Sequence, residues 1–400
     1  MKNNRKGRII FHIDMNAFFC SVAEIKDPSL RGKAFAIGRS GSLKGVISTA
    51  SYEARKYGIH SAMPLQTAYR LLPTLLVIDG DYNEYEKYHN KFVSLIRQYT
   101  DLIEVASIDE VYADMTHTID IIHPLVLARL IQYRLLKELG LPSSIGIGPT
   151  LFYAKMASDM KKPLGLTVIR KKEKEKILYP LSVKDIFGIG KKTAPKLIEN
   201  NILTIGDFMN EENKGKIIGL IGFNSYYYVI NAINGNSSNE VLPNRYQDSQ
   251  SISTSVTYDI YLTTYEKLIT ELRKLLRKIY KRLINEDYLA KSLIITLRND
   301  KFNTISRRKT LNDYSNDLKE FDYLLEDLAK EYYNEEEQYR LIGVGFSNLI
   351  KKAELKKEET LFNFTEFEKD YELDKLVKDF KNKYGDEKIN WKKGESNDDK

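Results

Sequence analysis

The chain alternates between short continuous apolar runs and longer stretches in which apolar residues return every three or four positions. The first kind of pattern predicts buried strands and the second predicts amphipathic helices. By this rule residues 8–13, 34–37, 45–49, 75–79 and 144–148 are strands. Residues 102–115 form a hairpin, and 124–139 and Phe152–Met160 are helices. Phe18 and Phe19 open a further helix that runs to Glu24, and Thr49 is placed to cap one that stops at Gly58. Tyr82, Tyr85, His89 and Phe92 recur at helical spacing and read as a core stripe. Strands interrupted by helices in this order predict an α+β layer of the ferredoxin-like kind.

From about residue 170 the pattern changes. Residues 170–176 are almost wholly charged and read as a linker or a helix start. Asn234 to Asn239 is polar and turn-rich, a second linker. Beyond it, strands over 251–258, 291–298, 303–310 and 341–346 alternate with helices over 263–285 and 316–333, which predicts a separate α+β domain. In the long helix Arg273, Lys274, Arg277, Lys278, Lys281 and Arg282 read as a solvated outer face. Residues 371–400 carry mixed charge without a core pattern, which predicts a partly helical, mobile tail.

Two of the apolar runs end in acid. Arg8 to Ile13 leads into Asp14, and Ile103 and Val105 lead toward Asp109 and Glu110 within Ser107-Ile108-Asp109-Glu110. Neighbouring side chains in a strand point to opposite faces, so Asp109 and Glu110 can serve one site only at a strand end or turn. If the two runs are neighbours in one sheet, three carboxylates converge at its edge. That suits two divalent cations about 3.5–4 Å apart, the arrangement that stabilises both oxygens of a phosphoryl transfer.

Tyr52 and Arg55 are three residues apart on a predicted helix and share a face, where a phenol and a guanidinium can grip phosphate oxygens. Gly188-Ile189-Gly190 with Lys191 and Lys192, lying between two helical patterns, resembles a helix-hairpin-helix, a module that holds a DNA phosphate without reading bases. In the last domain Arg298, Lys301, Arg307, Arg308 and Lys309 give a strand segment the cation density for backbone contacts.

Composition limits the alternatives. The chain has 400 residues, enough for two to four domains, and 42% of them are hydrophobic, enough for packed cores. A net charge of +7 is compatible with a polyanionic partner. The single cysteine, Cys20, excludes a disulfide framework and a cysteine-rich zinc site. The five histidines show no metal-ligand spacing and read as structural. No secretory apolar region and no run of the ~20 apolar residues that span a bilayer is seen, so a soluble, intracellular protein is expected.

Taken together and in order, several of these stretches resemble the Y-family translesion DNA polymerases, most closely the bacterial DNA polymerase IV type. They are Ile13-Asp14-Met15-Asn16-Ala17-Phe18-Phe19, Ser48 to Arg55, Ser107 to Glu110, Ala154 to Asp159, Lys162-Pro163-Leu164-Gly165, the Gly-Ile-Gly hairpin and Gly343 to Ser347. The resemblance runs from about Arg8 to Leu349. It implies a multidomain α+β right hand: a ferredoxin-like palm over 1–17 and 82–169, small fingers over 18–81 and a helical thumb with the helix-hairpin-helix over 170–236. A linker over 237–246, an α+β little finger over 247–351 and a tail over 352–400 complete it.

The resemblance also implies roles. Asp14, Asp109 and Glu110, with the main-chain carbonyl of Met15, would bind two Mg²⁺ ions. Thr49, Tyr52, Arg55 and Lys162 would hold the incoming triphosphate. Phe19 would be the steric gate against a ribose 2′-OH, with Phe18 as its neighbour, and the small Ser48 and Ala50 would leave room for damaged templates. Gly188, Gly190, Lys191, Lys192, Arg298, Arg307 and Arg308 would contact DNA. The implied activity is low-fidelity addition of dNTPs to a primer 3′-OH without proofreading, by a cytoplasmic, nucleoid-associated monomer. Leu361 and Phe362 match a sliding-clamp peptide that here lacks its usual Gln. Asn16 stands where many relatives carry Asp, with no expected loss of metal binding. A nucleotidyl cyclase shares such a palm, and a non-catalytic DNA-binding relative is the second rival. The hairpin and the basic last domain speak against the first, and the intact carboxylates against the second.

Overall fold

The computed structural model describes residues 7–41, 43–245 and 248–355. They form two compact units, divided between Asp248 and Ser249. The Leu361 and Phe362 segment and the 371–400 tail lie outside the described residues.

The first unit is built on a five-stranded sheet. Its strands are β1 (Ile10–Met15), β5 (Ile103–Val105), β6 (Glu110–Asp114), β7 (Ser143–Gly148) and β8 (Leu166–Val168), in the order β5-β6-β1-β7-β8. Between them in sequence lie β2 (Phe35–Ile37), β3 (Thr49–Ala50) and β4 (Leu76–Ile78), which form a separate small sheet. Without β8 the large sheet has the ferredoxin-like order, with β1 central and antiparallel to both β6 and β7.

The two faces of this sheet differ because side chains alternate. Phe11, Ile13 and Met15 point into a core filled by Phe92, Ile96, Leu127, Ile131 and Leu135 from the helices Tyr82–Arg97 and Pro124–Leu139. Ile10, His12 and Asp14 point the other way, toward the helix Leu151–Asp159. That helix lies against the backbone of β7: a Cβ at Gly146 would stand 2.0 Å from the Ala154 carbonyl oxygen. Glycine is what allows this approach.

The remainder of the unit, from Lys174 to Ile233, is a set of short helices around Phe208, Leu197, Ile217 and Tyr226. Residues 237–245 differ from the free linker expected of them. Val241 is buried with Ile10, Tyr112 and Ala154, and the Leu151 N–H donates to the Ser238 carbonyl at 3.0 Å. The buried Glu104 carboxylate accepts from the Leu242 N–H at 3.0 Å and pairs with Arg245 Nε at 2.9 Å. The segment is a strap over the same sheet face that carries Asp14. Its polar composition suggested solvent because the partners that satisfy it come from distant strands.

The second unit has four strands, β9 (Ser251–Leu262), β10 (Tyr288–Asn299), β11 (Thr304–Ser315) and β12 (Tyr339–Lys351), in the order β11-β10-β12-β9. The helices Tyr265–Asn285 and Leu318–Tyr332 cover one face with a leucine-rich core. Arg273 is not part of a solvated outer face: it grips Asp322 at 2.9 Å and Glu326 at 2.7 Å on the neighbouring helix.

Several predicted boundaries move. The first strand runs on through Asp14 and Met15, because ladder bonds to β7 continue to Ser143. Of the 45–49 run only Thr49 lies in a strand, Thr49–Ala50, and Ser51, not Thr49, caps the following turn, which ends at Arg55. Tyr82 is 68% exposed, so the core stripe begins at Tyr85.

Candidate active site

Asp14 and Glu110 sit directly opposite each other in the β1–β6 ladder, on the face turned toward the helix Leu151–Asp159. Asp14 is buried, and Glu110 is partly so. The helix sends Lys155 between them, its Nζ 2.7 Å from Glu110 Oε1 and 3.5 Å from Asp14 Oδ2. Lys162, from the turn after the helix, places its Nζ 2.6 Å from Asp14 Oδ2 and 2.8 Å from Asp159 Oδ1. Burial works against both ammonium groups, yet the facing carboxylates outweigh it and hold both above their ordinary values. Burial and the bond to Glu110 raise Asp14 above the carboxylate range. In Glu110 burial is overcome by His12, Asp14 and Lys155, and its carboxyl is held low.

Asp109 joins this pair through the main chain. Its carbonyl accepts from the Met15 N–H at 2.9 Å, while its carboxylate accepts from Ser107 Oγ at 2.6 Å. The three acids therefore belong to adjoining backbone positions, but the Asp109 side chain is turned aside to its own loop. Among the described residues no three His, Cys, Asp or Glu side chains are gathered as a metal cluster.

The turn carrying Lys162 is fixed by Asn16. Its Oδ1 accepts from the Leu164 N–H at 2.8 Å and its Nδ2 donates to Ser144 Oγ at 2.9 Å, which also accepts from the Gly165 N–H at 3.2 Å. An amide can donate and accept at once, which a carboxylate cannot, so the departure at this position has a local use. Just after it Ala17 adopts φ 44°, a left-handed conformation rare outside glycine, and the chain turns sharply into the helix Phe18–Lys26. Phe18 enters the core and Phe19 stays half-buried.

Above these groups, Arg55 lies over the Tyr52 ring at 4.9 Å and donates from Nε to the Ala50 carbonyl at 3.0 Å. Burial raises the Tyr52 hydroxyl, and the charges of Arg55, Lys162 and Asp14 all act on it, which places the phenol within electrostatic reach of the acidic pair. Thr49 lies on β3, and its carbonyl accepts from Cys20 Sγ at 3.5 Å.

Sequence reasoning missed two members. Lys155 stands on the otherwise apolar run Phe152 to Ala157, and a lysine there is the signal that it serves a carboxylate. His12, two residues before Asp14 on the same face, is fully buried, with Nδ1 2.8 Å from Ser158 Oγ and Nε2 3.4 Å from Glu110 Oε2.

The remaining predicted contacts lie elsewhere. Gly188 adopts φ 101°, Ile189 is buried, and Gly190, Lys191 and Lys192 are exposed in the same turn. It is preceded by the 3₁₀ turn Val183–Asp185, not by an α-helix, and the helix Ala194–Glu199 follows. In the second unit the register separates the arginines. Arg298 and Arg308 pair with Thr304 and Ile294 on the sheet face away from the helices. Arg307 lies opposite Ile295 on the helix side, stacked over Tyr332 at 5.1 Å.

Against known proteins, residues 13–159 match the impB/mucB/samB family and residues 249–359 match the C-terminal domain of that family. DNA polymerase IV of Bacillus velezensis is 39% identical over 95% of this chain and 91% of its own length. DNA polymerase IV 1 of Bacillus subtilis is 40% identical over 95% and 91%. A solved Y-family DNA polymerase chimera of Dbh and Dpo4 superposes with a TM-score of 0.77 at 26% identity, covering 86% of this chain and 100% of its own. DinB from Sulfolobus solfataricus superposes with a TM-score of 0.58, also at 26% identity, covering 86% and 100%. Family matches at both ends of the sequence, full-length relatives and a shared architecture leave one assignment: the chain belongs to the Y-family of translesion DNA polymerases, in the DNA polymerase IV group.

Proposed function

We propose that this chain adds dNTPs to a DNA primer under direction of a template, with Asp14, Asp109 and Glu110 as the groups that hold the catalytic cations. The observation that carries the reading is the cross-strand pair Asp14–Glu110 with two ammonium groups drawn into it. Cationic side chains already occupy the space between the acids, and the carboxylates with the Met15 carbonyl offer oxygen ligands, the donor set suited to a hard divalent cation such as Mg²⁺. The carboxylates of Asp14 and Glu110, Asp109 after rotation away from Ser107, and the Met15 carbonyl would hold it. Bound there, two such ions would supply charge stabilisation to an in-line phosphoryl transfer.

The chain's own residues do the rest. Lys162, Tyr52 and Arg55 bring positive charge and a hydroxyl to the side of Asp14, where a triphosphate would lie, with Thr49 beside them. Lys155 keeps Asp14 and Glu110 neutralised and ordered before substrate arrives. Phe19 presents its ring as the gate against a 2′-OH, with Phe18 anchoring it in the core. On this reading the five-stranded sheet is the palm, the small sheet of β2, β3 and β4 belongs to the fingers and the helices around Phe208 form the thumb, with the second unit as the little finger. The Gly188–Lys192 turn and the open face with Arg298 and Arg308 support backbone contacts to primer–template DNA. Clamp binding through Leu361 and Phe362, a monomeric state and a cytoplasmic location complete the proposal.

Incubation with a primed template, dNTPs and Mg²⁺ tests it. Template-directed extension past a damaged base, with no shortening of a mismatched primer, is the expected result. A cyclic nucleotide product in place of extension overturns it.

A further inference from the structure

Phe18 and Phe19 are adjacent but serve different surroundings. Phe18 is 2% exposed and packs among the core residues of the large sheet. Phe19 is half-buried, packed on one side against the small cluster of Cys20, Leu30, Phe35 and Ile37, and its ring stacks on Tyr85 with centroids 4.1 Å apart and planes 17° from parallel. Tyr82, one helical turn before Tyr85, meets Phe19 edge-on at 6.0 Å and Tyr85 edge-on at 5.6 Å. The three rings form a bracket, with Tyr85 2% exposed as its base and Tyr82 as its exposed rim.

The bracket is held from both sides. Tyr82 and Tyr85 lie on the first turn of the helix Tyr82–Arg97, which Asp81 caps by accepting from the Glu84 N–H at 3.3 Å. The same Asp81 pairs with Lys26 Nζ at 2.6 Å, at the far end of the helix that begins with Phe18 and Phe19. The Tyr85 ring lies close against the Gly80 backbone, where an added Cβ would stand 3.3 Å from the phenol oxygen.

We propose that Tyr85, with Tyr82 at its rim, is a positioning residue for sugar selection: it fixes the Phe19 ring so that the gate cannot tilt aside for a ribose. This rests on the reading of Phe19 as the gate. Rejecting one hydroxyl demands stiffness as well as bulk, because a phenyl ring free to change rotamer yields to an added oxygen at little cost. A stacked aromatic partner supplies that stiffness through ring–ring contact that an aliphatic side chain of similar volume does not reproduce.

The test compares kcat/KM for a dNTP and the matching rNTP opposite one template base, in the full-length protein. Tyr85→Leu is expected to lower discrimination by about 3- to 10-fold, the rate equivalent of losing one aromatic pair. The change is expected as faster ribonucleotide incorporation, whereas a general packing defect would slow both substrates. Tyr85→Phe keeps the ring and is expected to keep the wild-type ratio. Tyr82→Ala, at an exposed position, is expected to move the ratio in the same direction and carries the test if Tyr85→Leu does not fold. Phe19→Ala is measured alongside. If Phe19→Ala relaxes sugar selection and Tyr85→Leu does not, the bracket is overturned while the gate stands. If Phe19→Ala leaves selection unchanged, the gate reading itself fails and the bracket fails with it.

Discussion

Lys155 Nζ lies 2.7 Å from Glu110 Oε1, the shortest link between the helix Leu151–Asp159 and the acidic pair on β1 and β6. Buried carboxylates this close together are costly unless a positive charge stands with them. Here two lysines serve, and divalent cations are expected to take over that role when they bind. Mg²⁺ is accordingly expected to raise the thermal midpoint of the first unit, since a ligand that binds only the folded state stabilises it. Asp14→Asn is expected to abolish that rise. Asp109→Ala is expected to reduce extension by at least about 10²–10³-fold, the scale of a single electrostatic stabiliser, with DNA binding retained. Scanning calorimetry with and without Mg²⁺, beside a primer-extension assay, decides both. Loss of DNA binding in Asp109→Ala would mark the residue as structural.

Much of this site was legible in the amino-acid order. Short apolar runs ending in Asp14 and leading to Asp109-Glu110 pointed to neighbouring strands, and the ladder pairs Asp14 with Glu110. The helix Pro124–Leu139 has the predicted bounds, because a proline at its start and Gly140 in left-handed conformation at its end mark both termini. The losses have physical causes. Asp109 turns to Ser107, a choice of rotamer that no periodicity encodes. The strap over 238–245 looked like linker because its one buried apolar residue, Val241, finds its partners in Ile10, Tyr112 and Ala154, far off in sequence. Arg307 and Arg308 looked equivalent because strand register, not charge, decides which face each takes.

The closeness of helix and sheet at β7 makes Gly146 a sensitive position. A methyl group there would stand 2.0 Å from the Ala154 carbonyl oxygen and 2.3 Å from the Ser158 nitrogen, both main-chain atoms that cannot swing aside. The helix would have to lift, taking Lys155 with it. Gly146→Ala is therefore expected to destabilise the first unit by about 3 kcal/mol or more, the upper range for an overpacked core. Urea unfolding followed by far-UV circular dichroism measures this. Wild-type stability in the variant would mean that the helix docks less tightly than these distances say.

The strap gives an expectation of its own. Glu104 is 2% exposed and is satisfied by the Leu242 N–H and by Arg245. Arg245→Ala leaves that carboxylate buried with one partner fewer, a loss of about 1–3 kcal/mol for a hydrogen bond to a charged group. Release of the strap is expected to show as faster limited proteolysis within residues 238–245, with the second unit remaining folded. Glu104→Gln, which removes the buried charge with its partner's need, is expected to cost less than Arg245→Ala. Equal proteolysis rates in wild type and Arg245→Ala would show that Val241 alone holds the segment.

The two neighbouring arginines of β11 are expected to behave differently toward DNA. Arg308 is exposed on the sheet face that carries Arg298, Thr296 and Ser306, whereas Arg307 stands on the helix side over the Tyr332 ring. A phosphate contact releases counterions, so removing one lowers the slope of log affinity against log salt by about 1. Arg308→Ala is expected to show that reduced slope along with weaker binding at low salt. Arg307→Ala is expected to leave the slope unchanged, because its guanidinium is engaged by an aromatic ring on the other face. Fluorescence anisotropy of a labelled primer–template across a salt series distinguishes the two. A reduced slope in Arg307→Ala, with none in Arg308→Ala, would assign DNA to the helical side of the sheet and overturn the open face as its binding surface.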